Sequence, residues 1–404
     1  MSITKRFAEL KNIRDALGAA DADPSRVVME RVLSSTEAVI GGKPTILAGT
    51  NNYLGLTFEK GIMDAACDAL HEQGSGTTGS RMANGSFSSH VALEQEFADF
   101  YEVPAAMIFS TGYQANLGLI MGLLRSGDKV VLDAHSHASI YDGCRISGAD
   151  FFTFRHNDTE DLRKRLGRLG ADAEGALVIA EGLYSMLGDT APLADMAAVA
   201  REFGAYFMVD EAHSLGVYGE KGRGVVEQEG ILDQVDFITG TFSKSLGSLG
   251  GFCVSRHEEL NLLRYGSRPY IFTASSSPAN IAAAHWALRA IRTRPELKEK
   301  LWANVHRLYD GLKGIGCKLA SAPSPVVAVR VESHDEAART WNELLASGVY
   351  VNLVVPPASP DGASLLRCSM SAGHSFEQVD AIVRAFADAR SGTAFADARC
   401  GGQG

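Results

Sequence analysis

A regular exchange of short apolar runs for helix-like stretches governs what this chain can fold into. AAMIF, KVVLD, FFTFRH, ALVIAE, YFMVD and FITGT are each short and mainly apolar, and amphipathic segments separate most of them. Runs that stay apolar, instead of alternating with polar residues, read as strands buried on both faces of a parallel sheet. The intervening helices are the crossovers that parallel neighbours need. After Phe109 a turn at Ser110 to Gly112 leads into a helix with Leu117, Ile120, Met121 and Leu124 inward, and PLADMAAVAREFG ends at Gly204, a C-cap residue. From Pro295 the pattern changes to helices among short strands, a smaller α+β arrangement. The expected layout is an arm over 1–48, a large domain with a mostly parallel sheet flanked by helices over 49–290, a small α+β domain over 291–392, and a frayed tail over 393–404.

An open α/β sheet carries its chemistry at the carboxyl ends of its strands, so the polar residues that close the apolar runs are the first candidates. YFMVD ends in Asp210, with Glu211 and His213 just after it. FITGT opens into Ser243, Lys244 and Ser245, and the small residues of Gly247 to Gly251 leave the lysine little cover. An acid that keeps a pyridine nitrogen protonated and a lysine that forms a Schiff base are the two groups a pyridoxal phosphate enzyme requires. Taken singly, Asp210 also reads as a helix N-cap, His213 as a satisfied core histidine and Lys244 as a surface lysine. Their conjunction favours the chemical reading.

The turn at Ser110 to Gly112 is a candidate anion site, because unpaired backbone N–H groups and the helix dipole point into it; a bare βα connection is the alternative. His135 and His137 follow KVVLD, yet no cluster of further ligands completes a metal set, and His137 suits an aromatic lid over a flat ring. GSGTTG, from Gly74, matches GxGxxG but follows a helix instead of a strand, which disfavours a dinucleotide. A net charge of −10 with no basic run argues against nucleic acid. The six cysteines lack CxxC spacing, lie mostly in apolar segments and read as reduced, packed thiols of a cytoplasmic protein. With no charged-then-apolar start and no run of about 18 apolar residues, neither export nor a membrane span is expected, and peripheral membrane contact stays open.

GSGTTGSRMANGSF, SHASIYDG, EGLYSMLGD, VDEAHS, GTFSKSLGSLGGF, RPYIFTAS and PPASPDGASLLRCS together resemble the α-oxoamine synthases, fold-type I pyridoxal phosphate enzymes, from about Thr50 to His374. The match is nearest to the members that use serine. The resemblance implies a decarboxylative condensation of L-serine with a long-chain acyl thioester, on coenzyme A or acyl carrier protein, that begins sphingolipid synthesis with a 3-keto long-chain base. It implies that Lys244 forms the Schiff base, Asp210 pairs with the ring nitrogen, His213 bonds the phenolic oxygen and His137 stacks on the ring. Gly112, Tyr113, Thr241 and Ser243 would lie at the cofactor phosphate and Ser185 beside the ring. Thr273 would reach the phosphate of a neighbouring subunit in a homodimer with shared sites. Arg367 would hold the amino-acid carboxylate, with Asn52 beside it. One departure stands out: Val355 precedes Pro356 where similar proteins carry an arginine before the corresponding turn. A glycine-using synthase making aminolevulinate, aminooxononanoate or aminoketobutyrate, a non-catalytic partner subunit of the same fold, and an ordinary aminotransferase are the competing readings.

Overall fold

The computed structural model describes residues 3–19, 22–356, 359 and 362–391. The tail expected over 393–404, with Cys400, lies outside these residues, as does part of the PPASP turn. The chain divides into two compact units, one of residues 1–53, 186–188 and 299–404, the other of residues 54–185 and 189–298.

The second unit is built on a seven-stranded sheet: β1 (Ala105–Phe109), β2 (Lys129–Asp133), β3 (Asp150–Phe154), β4 (Leu177–Glu181), β5 (Tyr206–Asp210), β6 (Phe237–Thr241) and β7 (Gly251–Ser255). Their order across the sheet is β1-β7-β6-β5-β4-β2-β3. The five strands β6, β5, β4, β2 and β3 run parallel to one another, and β7 is antiparallel to both β6 and β1. Every residue of β1, β4, β6 and β7 is buried, which is why these runs carry no polar alternation. Helices α1 (Ser88–Tyr101), α2 (Gly112–Leu123), α3 (Ala138–Ser147), α4 (Thr159–Leu169) and α5 (Leu193–Glu202) make the connections. On one face, Leu119 and Ile120 of α2 pack with Met107, Leu132, Ile179 and Met208 of the strands. From β2 the chain runs outward to β3 and then returns through β4, β5, β6 and β7, so the strand order reverses between β2 and β4, the kind of position where such sheets open a crevice beyond their carboxyl ends.

Three stacked rings tie the turn after β6 to this scaffold. Phe97 of α1 stacks on Phe252 of β7 at 4.3 Å between centroids and on Phe242 at 5.5 Å, and all three are fully buried. Phe242 directly precedes Ser243 and Lys244. A second anchor sits behind β5. Glu211 is completely buried, accepts from the Val226 N–H at 2.8 Å and is bonded by the Ser214 hydroxyl. Burial pushes its carboxyl up to about 7, even though both hydrogen bonds work the other way.

The first unit holds two four-stranded sheets. Residues 31–32, 37–40, 43–47 and 349–350 form one, and the expected N-terminal arm thus pairs with a distant segment: Lys43–Leu47 runs parallel to Val349–Tyr350. The other has the order Lys318–Leu319, Val326–Val331, Ser364–Ser369, Asn352–Val354 and is antiparallel throughout. Cys144, Cys253, Cys317 and Cys368 are buried free thiols, as their apolar settings suggest, whereas Cys67 is exposed on the outer side of the helix Lys60–Gln73. No helix among the described residues is long and apolar enough to cross a membrane.

Two outcomes follow. Phe97→Ala empties the centre of the ring stack and is expected to cost about 3–5 kcal/mol, read from chemical unfolding; a loss below about 1 kcal/mol would mean that the stack does not anchor the β6 turn. For Glu211 the folded value lies above the ordinary 4.5, so the stability its protonated form contributes is complete below pH 4.5 and is lost as pH rises through about 7. Glu211→Gln cannot lose that proton, and its urea midpoint should gain on the wild type between about pH 5 and pH 8. A constant gap over that range would show an unperturbed carboxyl.

Candidate active site

The carboxyl ends of β1, β2, β4, β5 and β6 surround a cavity of about 300 Å³ in the second unit. Gly112, Tyr113, His137, Asp210, His213, Thr241, Ser243 and Lys244 all line it, so eight residues singled out in the sequence meet in one place. The sheet register explains part of this convergence, since Glu181 pairs with Asp210 and Asp210 with Thr239 across adjacent parallel strands.

Asp210 is 5% exposed and both of its oxygens are engaged. Oδ2 accepts from the Asn116 amide at 2.7 Å and Oδ1 from the Ala212 N–H at 2.9 Å. Asn116 is held in turn, accepting from the Thr239 hydroxyl at 2.7 Å and donating to Ser139 Oγ at 2.9 Å. A buried carboxylate costs free energy unless donors surround it, and here the amide and the backbone supply them. Glu181, at the end of the neighbouring strand, is 3% exposed. Its Oε1 accepts from the backbone N–H of His137 at 2.5 Å, and burial together with the charge of Asp210 pushes its carboxyl well above the usual carboxylate range.

His137 caps helix α3. Its Nδ1 accepts from the Ser139 N–H at 3.2 Å, which leaves the ring proton of the neutral imidazole on Nε2. Helix α2 begins at the same cavity. Thr111 caps it by accepting from Gln114 N at 3.1 Å, so the N–H groups of Gly112 and Tyr113 have no partner within the helix. A Cβ on Gly112 would lie 2.6 Å from Thr241 Cβ, and only glycine lets the helix start so close to the end of β6. Thr241 Oγ1 and Ser243 Oγ are 2.9 Å apart beside it. The result is an anion cradle of two N–H groups, a helix dipole and two hydroxyls.

The remaining candidates fall elsewhere. Ser185 is half-buried in the hairpin closed by the Leu183–Thr190 bridge and does not line this cavity. Thr273 lines a separate small cavity with Arg81 and Tyr270, and its hydroxyl accepts from Gln114 Nε2 at 3.2 Å. Asn52 and Arg367 belong to the first unit. Arg367 is buried there, donating to Ser369 Oγ at 2.9 Å and Asn51 Oδ1 at 3.1 Å. Asn116, Ser139 and Glu181 line the cavity without having been picked out in the sequence. Asn116 gave a signal, as a polar residue on the inward, otherwise apolar face of α2, and so did Glu181, which closes a strand just as Asp210 does.

The class I and II aminotransferase family model matches residues 43–386. A serine palmitoyltransferase of Caulobacter vibrioides is 52% identical over 389 residues, which cover 96% of either chain. A serine palmitoyltransferase of Sphingomonas paucimobilis is 50% identical over 372 residues, covering 92% of this chain and 88% of that one. A solved structure of SPT with PLP internal aldimine superposes with a TM-score of 0.95 at 48% identity, over 97% of this chain and 99% of that one. With its sheet order, its cavity and this likeness in view, the chain belongs to the class I and II aminotransferase family, in the group that contains the bacterial serine palmitoyltransferases.

Proposed function

We propose that this protein is a pyridoxal phosphate-dependent acyltransferase that condenses L-serine with a long-chain acyl thioester, releases CO₂ and forms a 3-keto long-chain base. The observation that supports it most is the meeting of Asp210, His213, Lys244 and His137 with the anion cradle of Gly112, Thr241 and Ser243 around one cavity. That donor set fits the cofactor. The cradle that a Cβ at Gly112 would fill suits its phosphate, and the buried acid Asp210, which lines the same cavity, suits a ring nitrogen.

Bound pyridoxal phosphate supplies an electron sink for negative charge at the amino-acid Cα. Each protein group then has one task. Asp210, fixed by Asn116 and Ala212, holds the ring nitrogen in its protonated form. His213 donates to the phenolic oxygen, and His137 covers one ring face and keeps water from it. The N–H groups of Gly112 and Tyr113, with Thr241 and Ser243, take the phosphate. Lys244 would hold the cofactor covalently, and its free amine would serve as the acid and base for the Cα proton. Arg367 holds the serine carboxylate, with Asn52 beside it, and the loss of the family arginine at Val355 leaves Arg367 with more of that work. The protein acts in the cytoplasm as a homodimer in which Thr273 serves the neighbouring subunit's phosphate.

Incubation of the pure protein with palmitoyl-CoA and each of serine, glycine and alanine, followed by mass analysis, tests the reading. Serine should give CO₂ and a 3-keto C18 base. A condensation product from glycine but none from serine would overturn it in favour of a glycine-using synthase. Removing Arg367 takes away a charged hydrogen-bond partner worth about 1.5–3 kcal/mol, so Arg367→Ala should raise the KM for serine at least about tenfold. An unchanged serine KM with a lowered Tm would leave Arg367 a purely structural role.

A further inference from the structure

A second constellation of charge, buried at Asp133 and partly exposed at His156 and Asp189, lies at the same edge of the sheet, outside the cavity. Asp133, the last residue of β2, is fully buried, and its Oδ1 meets His156 Nδ1 at 2.8 Å. His156 Nε2 lies 2.6 Å from Asp189 Oδ2. The imidazole thus joins two carboxylates, one at a strand end and one from the hairpin after β4. His135 stacks flat on its ring at 3.8 Å, and Tyr184 meets it edge-on at 4.5 Å. Asn157 next to it is held at a φ of +54° by its N–H to Asp133 Oδ2 at 2.9 Å and its amide to Asp189 Oδ2 at 2.9 Å. A non-glycine residue in the left-handed region persists only where its surroundings hold it there.

The bridge reaches the cavity through the backbone. Asp133 Oδ1 also accepts from the His135 N–H at 2.8 Å, which fixes the turn that delivers His137 two residues later. We propose that the Asp133–His156–Asp189 bridge is a positioning device that sets His137 over the cofactor. The inference rests on the reading, given above, that His137 covers the ring. Isolated stability is a poor reason for a buried ion pair, because desolvation offsets most of the attraction. Fixing one loop geometry at a strand end is a better one.

The groups that face His156 are Asp133 from β2, His135 from the turn after it, and Tyr184 and Asp189 from the hairpin after β4, with Glu181 behind Tyr184. Burial opposes a charge on His156, but the two carboxylates outweigh it and push its pKa up to about 9. Since this lies above the ordinary 6.5, the stability that the protonated bridge contributes is complete below pH 6.5 and is lost as pH rises through about 9, where the folded-state imidazole itself loses its proton.

The full chain carrying His156→Gln, Asp189→Asn, His137→Ala or His137→Ala with His156→Gln decides the matter. Pyridoxal phosphate affinity, the induced circular dichroism of the bound cofactor, and Tm are followed from about pH 6 to pH 10. His156→Gln and Asp189→Asn should each weaken cofactor binding about tenfold or more and alter the dichroism as His137→Ala does, and the double variant should be no worse than His137→Ala alone. Wild-type dichroism should change through about pH 9 in a component that His156→Gln lacks. If either bridge variant that folds lowers Tm but leaves affinity and dichroism unchanged, or if the effects of His156→Gln and His137→Ala simply add, the proposal is overturned while the site reading stands. A His137→Ala protein with unaltered affinity and dichroism overturns the reading of His137 and the proposal with it.

Discussion

The buried carboxylate of Asp210 is the interaction around which the rest of the structure is arranged. A charge at the end of a central strand is expensive to desolvate, and it persists because Asn116 and Ala212 donate to both oxygens. Asn116 can do so only if α2 starts hard against β6, which Gly112 permits. The same close start aims the helix N-terminus into the cavity. One steric concession at Gly112 therefore serves two ends of the site: it brings the amide to the acid and leaves the N–H groups of Gly112 and Tyr113 for an anion.

Acids crowd this edge of the sheet, and each is handled differently. Glu181 is driven toward its neutral form by burial and by Asp210, and it steadies the backbone of His137. Glu211 lies on the far side of Asp210 and is satisfied by Ser214 and Val226. Asp133 is matched by a protonated His156. Each solution removes a competing negative charge from the neighbourhood of Asp210 or ties it to a loop. The electrostatics of the site is thus a property of three strand ends at once, not of the residues that touch the cavity alone.

Much of this was legible in the residues themselves. Apolar runs of the parallel kind appeared where β1 to β6 form, and the polar residues closing YFMVD and FITGT proved to share a cavity, because strand ends in register must lie side by side. Residues on other helices and strands were less legible. Asn116 and Glu181 sit among apolar neighbours, and their roles depend on the order of strands across the sheet, which local periodicity does not encode. The pairing of Lys43–Leu47 with Val349–Tyr350 was equally hidden, since some three hundred positions separate the partners, and such contacts are decided by tertiary packing. His156 looked like a strand terminus; only the fold shows that two distant carboxylates close on it.

The central claim is that β5 and β6 deliver an acid and a lysine to one cofactor cavity. Borohydride reduction of the protein loaded with pyridoxal phosphate, followed by proteolysis and peptide mass mapping, tests this most directly. A single phosphopyridoxyl label on the peptide carrying Lys244 is the predicted result, and a label on another lysine, or none at full cofactor loading, would contradict it.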